Sequence, residues 1–337
     1  MPSAKRSATQ KQAVIGLDLG GTKLAAALFD SEGQAIVKRS LPLEKRQGHA
    51  VGELIASQAR RLLQTGEQRK LAIRAVGICV PGIVEPKTGR VWAPNIPGWD
   101  DYSLKAEIKA AVSDQAVKVA IDSDRSASIL GEAWQGAARD CRNAILLAVG
   151  TGIGAGILVD GRVLHGAHGI AGAIGWLALD RHFHAEYTAC GCFESHASGE
   201  GIAAVARDLV IKQHDYKGPL RMTQPVTAHD VFSAYEHGDV IAKKVLSDAI
   251  EFWGMASANL ISLFNPEMIV FGGGVFGPAT QFLEAIEMEA CRWAQPVAMK
   301  QVKFCASQLE GDAALYGAAY GALRAARLVG PIGKTSN

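Results

Sequence analysis

The 337-residue chain lacks any run of about 18 apolar residues, so nothing in it is long enough to span a bilayer as a helix. It lacks a charge excess as well. Formal net charge is +2, which excludes the strong field that draws a protein to nucleic acid or a membrane surface. Cysteine is sparse and scattered: six residues, which does not read as a disulfide framework. The opening "MPSAKRSATQKQ" lacks the apolar core of a signal peptide and is too short for a helix-turn-helix head, so it reads as a frayed polar tail. These absences leave a cytoplasmic protein with no nucleic-acid or membrane partner. No P-loop string G-x-x-x-x-G-K-[ST] occurs, and the first glycine loop is followed by the apolar run "LAAALFD", which reads as a strand and not as the helix that a dinucleotide-binding G-x-G-x-x-G would open.

Glycine between apolar runs is abundant. "AVIGLDLGGTKLAAALFD" (Ala13 to Asp30) enters Gly20-Gly21-Thr22-Lys23 from one apolar run and leaves by another. "AILLAVGTGIGAGILVDGRVL" (Ala144 to Leu164) repeats the pattern around Gly150-Thr151-Gly152-Ile153-Gly154, and its Asp160-Gly161 predicts a tight hairpin turn. Successive exposed N–H groups cradle anions, and glycine lets a ligand approach the backbone. Two such units predict two similarly built domains, each with a phosphate-binding hairpin. A third glycine cluster, Gly272-Gly273-Gly274, ends the apolar run "PEMIVFGGGVF".

The remaining periodicity predicts an α/β architecture. "RAVGICVPGIV" and "VKVAIDSD" read as buried strands. Helical spacing marks "VGELIASQARRLLQ", "SLKAEIKAAV", "SASILGEAWQGAA", "GIAAVARDLVIKQ", "DVIAKKVLSDAIEFWGMASANLISLF" and "AALYGAAYGALRAARL".

The ordered motifs "DLGGTK", "PGIVEPKTGRVWAPNIPGW", "GTGIGAG", "GCFE" and "IVFGGGV" resemble the ROK family of sugar kinases and sugar-responsive repressors, over roughly Val14 to Leu323. The resemblance implies a two-domain actin-like ATPase (ribonuclease H-like) fold with a duplicated β-hairpin phosphate-loop core and an interdomain cleft. The expected domains are 12–121, completed by the C-terminal helix 313–328, and 122–312. It also implies ATP, magnesium, a sugar or polyol substrate and a homodimer. Asp18 would hold magnesium. Gly20, Gly21, Thr22 and Lys23 would meet phosphate oxygens from one side, and Gly150, Thr151, Gly152 and Gly154 from the other. Gly272, Gly273 and Gly274 would let adenosine lie close to the backbone.

Phosphoryl transfer to a hydroxyl needs a proton acceptor. The family carries an Asn-Asp pair at a strand end and a Gly-Glu pair further on. Here Ser123-Asp124 and Gly131-Glu132 fit that register, which makes Asp124 the expected base. Asp122 competes, but strand alternation would turn it to the other side. Asp124 could also cap the following helix, and the two roles are compatible.

The acceptor side departs from the family. "GAIGW" stands where Gly-Glu-x-Gly-His is usual, so Ala173 replaces a sugar-gripping carboxylate and Trp176 replaces a histidine that contacts sugar and ligates zinc. Trp176 would either stack on a sugar face or fill the vacated volume. Ser123 replaces a hydroxyl-binding asparagine. Asn95, Ser123, Asp124, Trp176 and Glu194 remain as substrate contacts. In the cysteine loop only Cys192 and Glu194 keep register. His182, His184, Cys190 and Cys192 are close in sequence, but their short spacings argue against a tetrahedral zinc site, and no metal ligand set is assigned. His165 and His168 read as loop or packing residues, and Cys79, Cys141, Cys291 and Cys305 as buried small hydrophobes. An ATP-dependent sugar or polyol kinase with an altered acceptor site is the leading expectation. A catalytically weak carbohydrate sensor and an ATPase with a protein partner are the alternatives.

Overall fold

The computed structural model describes residues 10–114, 116–223 and 225–333. Most of the expected polar tail lies outside the described residues. The chain divides into two compact units: one runs to Gln135 and resumes at Asp312, the other takes Gly136–Gly311.

Unit 1 begins with β1 (Gln12–Leu19), β2 (Lys23–Asp30) and β3 (Ala35–Pro42), an antiparallel meander. There follow α1 (His49–Gln68), β4 (Ala72–Val80), the short pair β5 (Ile83–Val84) and β6 (Val91–Trp92), and α2 (Leu104–Val112). β7 (Lys118–Ser123) leads directly into α3 (Asp124–Gln135). The sheet order is β3-β2-β1-β4-β7, with β1, β4 and β7 parallel.

Unit 2 repeats that plan. It has β8 (Ala144–Val149), β9 (Ile153–Val159) and β10 (Arg162–Val163), then the short α4 (Tyr187–Cys190) and α5 (Cys192–Ala197). Next come α6 (Gly199–Lys212), α7 (Ala228–Glu236), α8 (Val240–Phe264) and β11 (Met268–Gly272). The unit closes with α9 (Leu283–Trp293), α10 (Pro296–Met299) and β12 (Lys303–Ala306). Its order, β10-β9-β8-β11-β12, has the same two antiparallel and two parallel pairings. Asp160 and Gly161 both take positive φ, 50° and 73°, the turn that their sequence predicts.

The last helix, α11 (Ala313–Ala325), returns to unit 1. Alternation along β1 explains why it is needed. Ala13, Ile15, Leu17 and Leu19 join a core with α1 and α2, while Val14 faces a second core built with Leu315, Ala319 and Leu323 of α11. Contact there is too close for side chains. A Cβ on Gly77 would stand 1.8 Å from the Ala318 carbonyl oxygen, and one on Gly317 would stand 1.7 Å from that of Ala127. Among the described residues no helix is long and apolar enough to cross a membrane.

Candidate active site

In unit 1 the first glycine loop joins β1 to β2. Gly20 N–H donates to the Lys23 carbonyl at 2.9 Å, and Leu43 N–H to that of Thr22 at 2.9 Å, which pins the turn from both sides. Gly21, Thr22 and Lys23 are exposed, and a Cβ on Gly21 would meet nothing within 4 Å. That is a backbone face with room for an anion.

The carboxyl ends of the parallel strands lie beside this loop. Register sets Asp18 of β1 against Cys79 of β4, and Cys79 against Asp122 of β7. The Cys79 thiol donates to Asp18 Oδ1 at 3.1 Å, and burial holds it well above its ordinary pKa, so it stays a neutral donor. Burial also pushes Asp18 up to about 6, the Cys79 hydrogen bond opposing and the nearby Asp124 charge adding to it. A half-buried carboxylate that accepts from the weak Cys79 donor fits a cation. Magnesium is commonly held by one or two carboxylates together with substrate phosphates, and Asp18 would supply one.

Asp124 is the first residue of α3. Burial raises its pKa, while the Arg125 N–H, donated to its Oδ1 at 2.7 Å, works the other way. The helix cap falls to its neighbour. Ser123 Oγ accepts the Ser126 N–H at 3.2 Å and donates to Ser126 Oγ at 3.0 Å. Ser123 is buried, and both of its hydroxyl functions serve α3. Asp122 Oδ1 accepts the Ser123 N–H at 2.8 Å. The Gly-Glu pair downstream also has local meaning: a Cβ on Gly131 would stand 2.0 Å from the Ala313 carbonyl oxygen, and Glu132 is fully buried. Asn95 is exposed in a loop that Gly48 N–H ties through the Pro97 carbonyl at 2.8 Å.

In unit 2 the second loop joins β8 to β9, with Gly150 N–H on the Gly152 carbonyl at 2.9 Å. A Cβ on Gly150 would meet nothing within 4 Å, and Thr151 is exposed. Gly152 has a different neighbour. Its Cβ would stand 2.7 Å from Glu194 Oε2, the atom that accepts the Ile153 N–H at 2.6 Å. Glu194 thus braces the loop from beneath, and burial raises its pKa. Gly154 lies within β9, opposite Ala148. Of the third cluster, Gly272 is buried in β11. Gly273 takes φ 88° with its Cβ position 2.3 Å from the Val149 carbonyl oxygen, and Gly274 faces open space. These glycines line a cavity of about 420 Å³ with Ser307 and Glu310, room for a planar ligand against backbone.

Trp176 is 57% exposed at the end of a single helical turn, with Ala173 three residues before it. It therefore fills no core volume. His182 and His184 are exposed, Cys190 Sγ lies 3.2 Å from Ser195 Oγ, and Cys192 is buried. Among the described residues no three His, Cys, Asp or Glu side chains are grouped to hold a metal ion. His165 and His168 lie exposed in the loop after β10. The expectation of four buried cysteines is corrected: Cys79 and Cys141 are buried, Cys305 is half-buried, and Cys291 is exposed, one position past buried Ala290 on α9. Sequence reasoning also passed over Cys79 as a partner of Asp18; its register opposite Asp18 in the adjacent strand was the available signal.

The duplicated sheet, the two glycine hairpins and the strand-end carboxylates coincide with a family match. The model described as "ROK family" covers residues 14–325. The chain belongs to the ROK family. Its fold is accordingly that of the actin-like ATPase sugar kinases. It is 33% identical over 309 residues to a glucokinase of Halalkalibacterium halodurans, covering 90% of this chain and 92% of that one. A crystal structure of a ROK family glucokinase from Streptomyces griseus, in complex with glucose and AMPPNP, superposes with TM-score 0.72 at 26% identity, covering 91% of this chain and 98% of that one. A xylose repressor of Caldicellulosiruptor bescii is 29% identical over 81% of this chain and 68% of its own length. The ROK relatives thus include both sugar kinases and a repressor.

Proposed function

We propose that the chain is an ATP-dependent kinase that transfers the γ-phosphoryl group to a hydroxyl of a sugar or sugar-like polyol. The observation that carries this is that each unit has a glycine hairpin with a position facing open space, Gly21 in one and Gly150 in the other, and that unit 1 sets a half-buried carboxylate, Asp124, just past the end of β7. The sugar-kinase relatives, and the AMPPNP bound in one of them, support the nucleotide assignment.

In this reading the loops of Gly20–Lys23 and Gly150–Gly154 bind phosphate oxygens, and the Gly272–Gly274 cavity receives adenosine. Magnesium held by Asp18 would neutralise phosphate charge. Asp124 accepts the proton as the acceptor oxygen forms its bond to the γ-phosphorus and the bond to the ADP oxygen breaks. Its raised pKa makes it a stronger base, nearer to working pH, than an exposed aspartate. Glu194 and Asn95 contact the sugar, and Trp176 with Ala173 sets which sugar is accepted. Ser123 contributes through the α3 cap that places Asp124. The enzyme has two domains and acts in the cytoplasm as a homodimer.

The repressor relative and the alanine at position 173 favour one rival, a carbohydrate sensor that binds without turnover. A coupled ADP-release screen over hexoses, amino sugars, ketoses and cyclitols separates the two. Sugar-dependent ADP release is expected for at least one acceptor. Sugar binding by calorimetry with no release across the panel would favour the sensor.

A further inference from the structure

Trp176 is not the only aromatic residue left in solvent in this part of unit 2. Phe183 is 75% exposed, and both side chains line one pocket of about 390 Å³ with Tyr187. Asp180, Arg181 and His182 supply a polar rim on the same pocket. Small-ligand pockets run to about 300–1,000 Å³ and combine apolar and aromatic walls with a few placed polar groups. Two large aromatic side chains turned outward around a concavity call for a ligand more than for a core.

The walls are held in place. The Phe183 ring meets Tyr187 edge-on at 6.1 Å, and the Tyr187 hydroxyl lies 2.7 Å from His196 Nε2. The Trp176 backbone presses on Gly191, where a Cβ would stand 2.6 Å from Trp176 Cα; Gly191 has φ 87° and accommodates no side chain there. On the other side, the Cβ position of Gly175 is 2.9 Å from Glu194 Oε2. Gly175 precedes Trp176 in the chain, so the Trp176 wall of the pocket follows directly on the backbone that packs against the carboxylate that the proposed function places on the sugar, although Glu194 itself lines a neighbouring cavity.

We propose that this pocket is a second sugar subsite, and that the acceptor is a disaccharide or other glycoside whose extra pyranose ring stacks on Trp176 and Phe183. A pyranose offers an apolar C–H face to an aromatic ring and hydroxyls at its edge to charged groups. Asp180 is suited to accept from those hydroxyls: the His182 N–H at 3.0 Å holds its carboxyl below the usual range, so it stays ionised. Arg181 supplies donors. The inference rests on the kinase reading for its assay, and on the pocket alone for its binding.

The test compares glucose with cellobiose and maltose, by ADP release and by calorimetry, for the wild type, Phe183→Ala and Phe183→Trp. Phe183 is exposed and outside the phosphoryl-transfer machinery, so Phe183→Ala should fold normally. We expect at least tenfold higher kcat/KM for one disaccharide than for glucose. Phe183→Ala should remove most of that preference without changing glucose turnover, and Phe183→Trp should retain it. Disaccharide binding that Phe183→Ala weakens, without ADP release, would sustain the subsite and refute the kinase. Glucose turnover with no disaccharide preference, unchanged by Phe183→Ala, would overturn the subsite and leave the kinase standing. A smaller species in solution for Phe183→Ala, with sugar preference unchanged, would assign the aromatic pair to contact between copies and also overturn it.

Discussion

Asp124 combines two properties that a substitution can separate. Burial lifts its folded pKa above the unfolded value, so its charge costs stability. That cost is absent below the unfolded pKa, where both states are protonated, and complete above the folded pKa. Asp124→Asn should therefore lower sugar-dependent turnover by about 10²–10⁴ and yet raise the melting temperature at pH 8. Melting curves and ADP release on the same preparation check both; a variant that loses activity and stability together would make Asp124 structural. The glycines divide on similar grounds. Gly21→Val and Gly150→Val place a side chain in open space, so both should keep the fold and weaken ATP binding by calorimetry. Gly152→Val is a poorer probe, because it strikes Glu194 whether or not a nucleotide binds. Unchanged ATP affinity in both folded variants would remove the nucleotide assignment from these loops.

At the level of elements, one tie links α5 to the long α8. The His196 ring stacks on Phe252 at 4.5 Å and 6°, and its Nε2 meets the Tyr187 hydroxyl at 2.7 Å. Burial lowers the His196 pKa, while the charges of Asp180, Glu186 and Asp248 raise it and that of His184 lowers it. A depressed histidine pKa leaves stability intact above the unfolded value of about 6.5. Below that pH the unfolded chain takes up a proton that the folded chain resists, and stability falls. His196→Phe keeps an aromatic ring but cannot titrate. Between pH 7.5 and 5.5 the wild type should lose more melting temperature than this variant; parallel losses would remove His196 from the pH response. None of this tie was legible in the sequence, since His196 and Phe252 meet only when α8 folds back on α5. The glycine hairpins and the strands were legible, because alternation and turn residues are local signals, but the burial expected of "VKVAIDSD" was not met: β7 is half-buried over most of its length, as an edge strand of its sheet. The cap on α3, open to Asp124 in the sequence, comes from Ser123: Ser and Asp both cap well, and only the backbone register decides between them.

For the whole molecule, the discontinuity of unit 1 sets what can be cut away. Its first segment ends at Gln135 and its last helix arrives only after unit 2 is complete. That helix is no ornament on the sheet. Leu315 and Leu323 are fully buried, and Tyr320 is nearly so. The two leucines alone contribute about 3–6 kcal/mol by burial. A typical domain has only about 5–15 kcal/mol in total. Removing α11 would also expose Val14 and Phe29 and the backbone around Gly16, whose Cβ position is 2.9 Å from the Leu315 carbonyl oxygen. Unit 2 has its own core across β8, β9, α5, α6 and α8, with Trp253 fully buried and its Nε1 donating to the Ala197 carbonyl at 3.1 Å. A chain ending at Gly311 should therefore lose unit 1 and keep unit 2. Limited proteolysis should leave a resistant fragment close to 136–311, and the melting curve should show one transition of reduced amplitude. A truncated chain that melts cooperatively at the full-length temperature would show that unit 1 folds without α11, and that the glycine contacts at Gly77 and Gly317 are tolerated packing rather than the reason unit 1 needs its last helix.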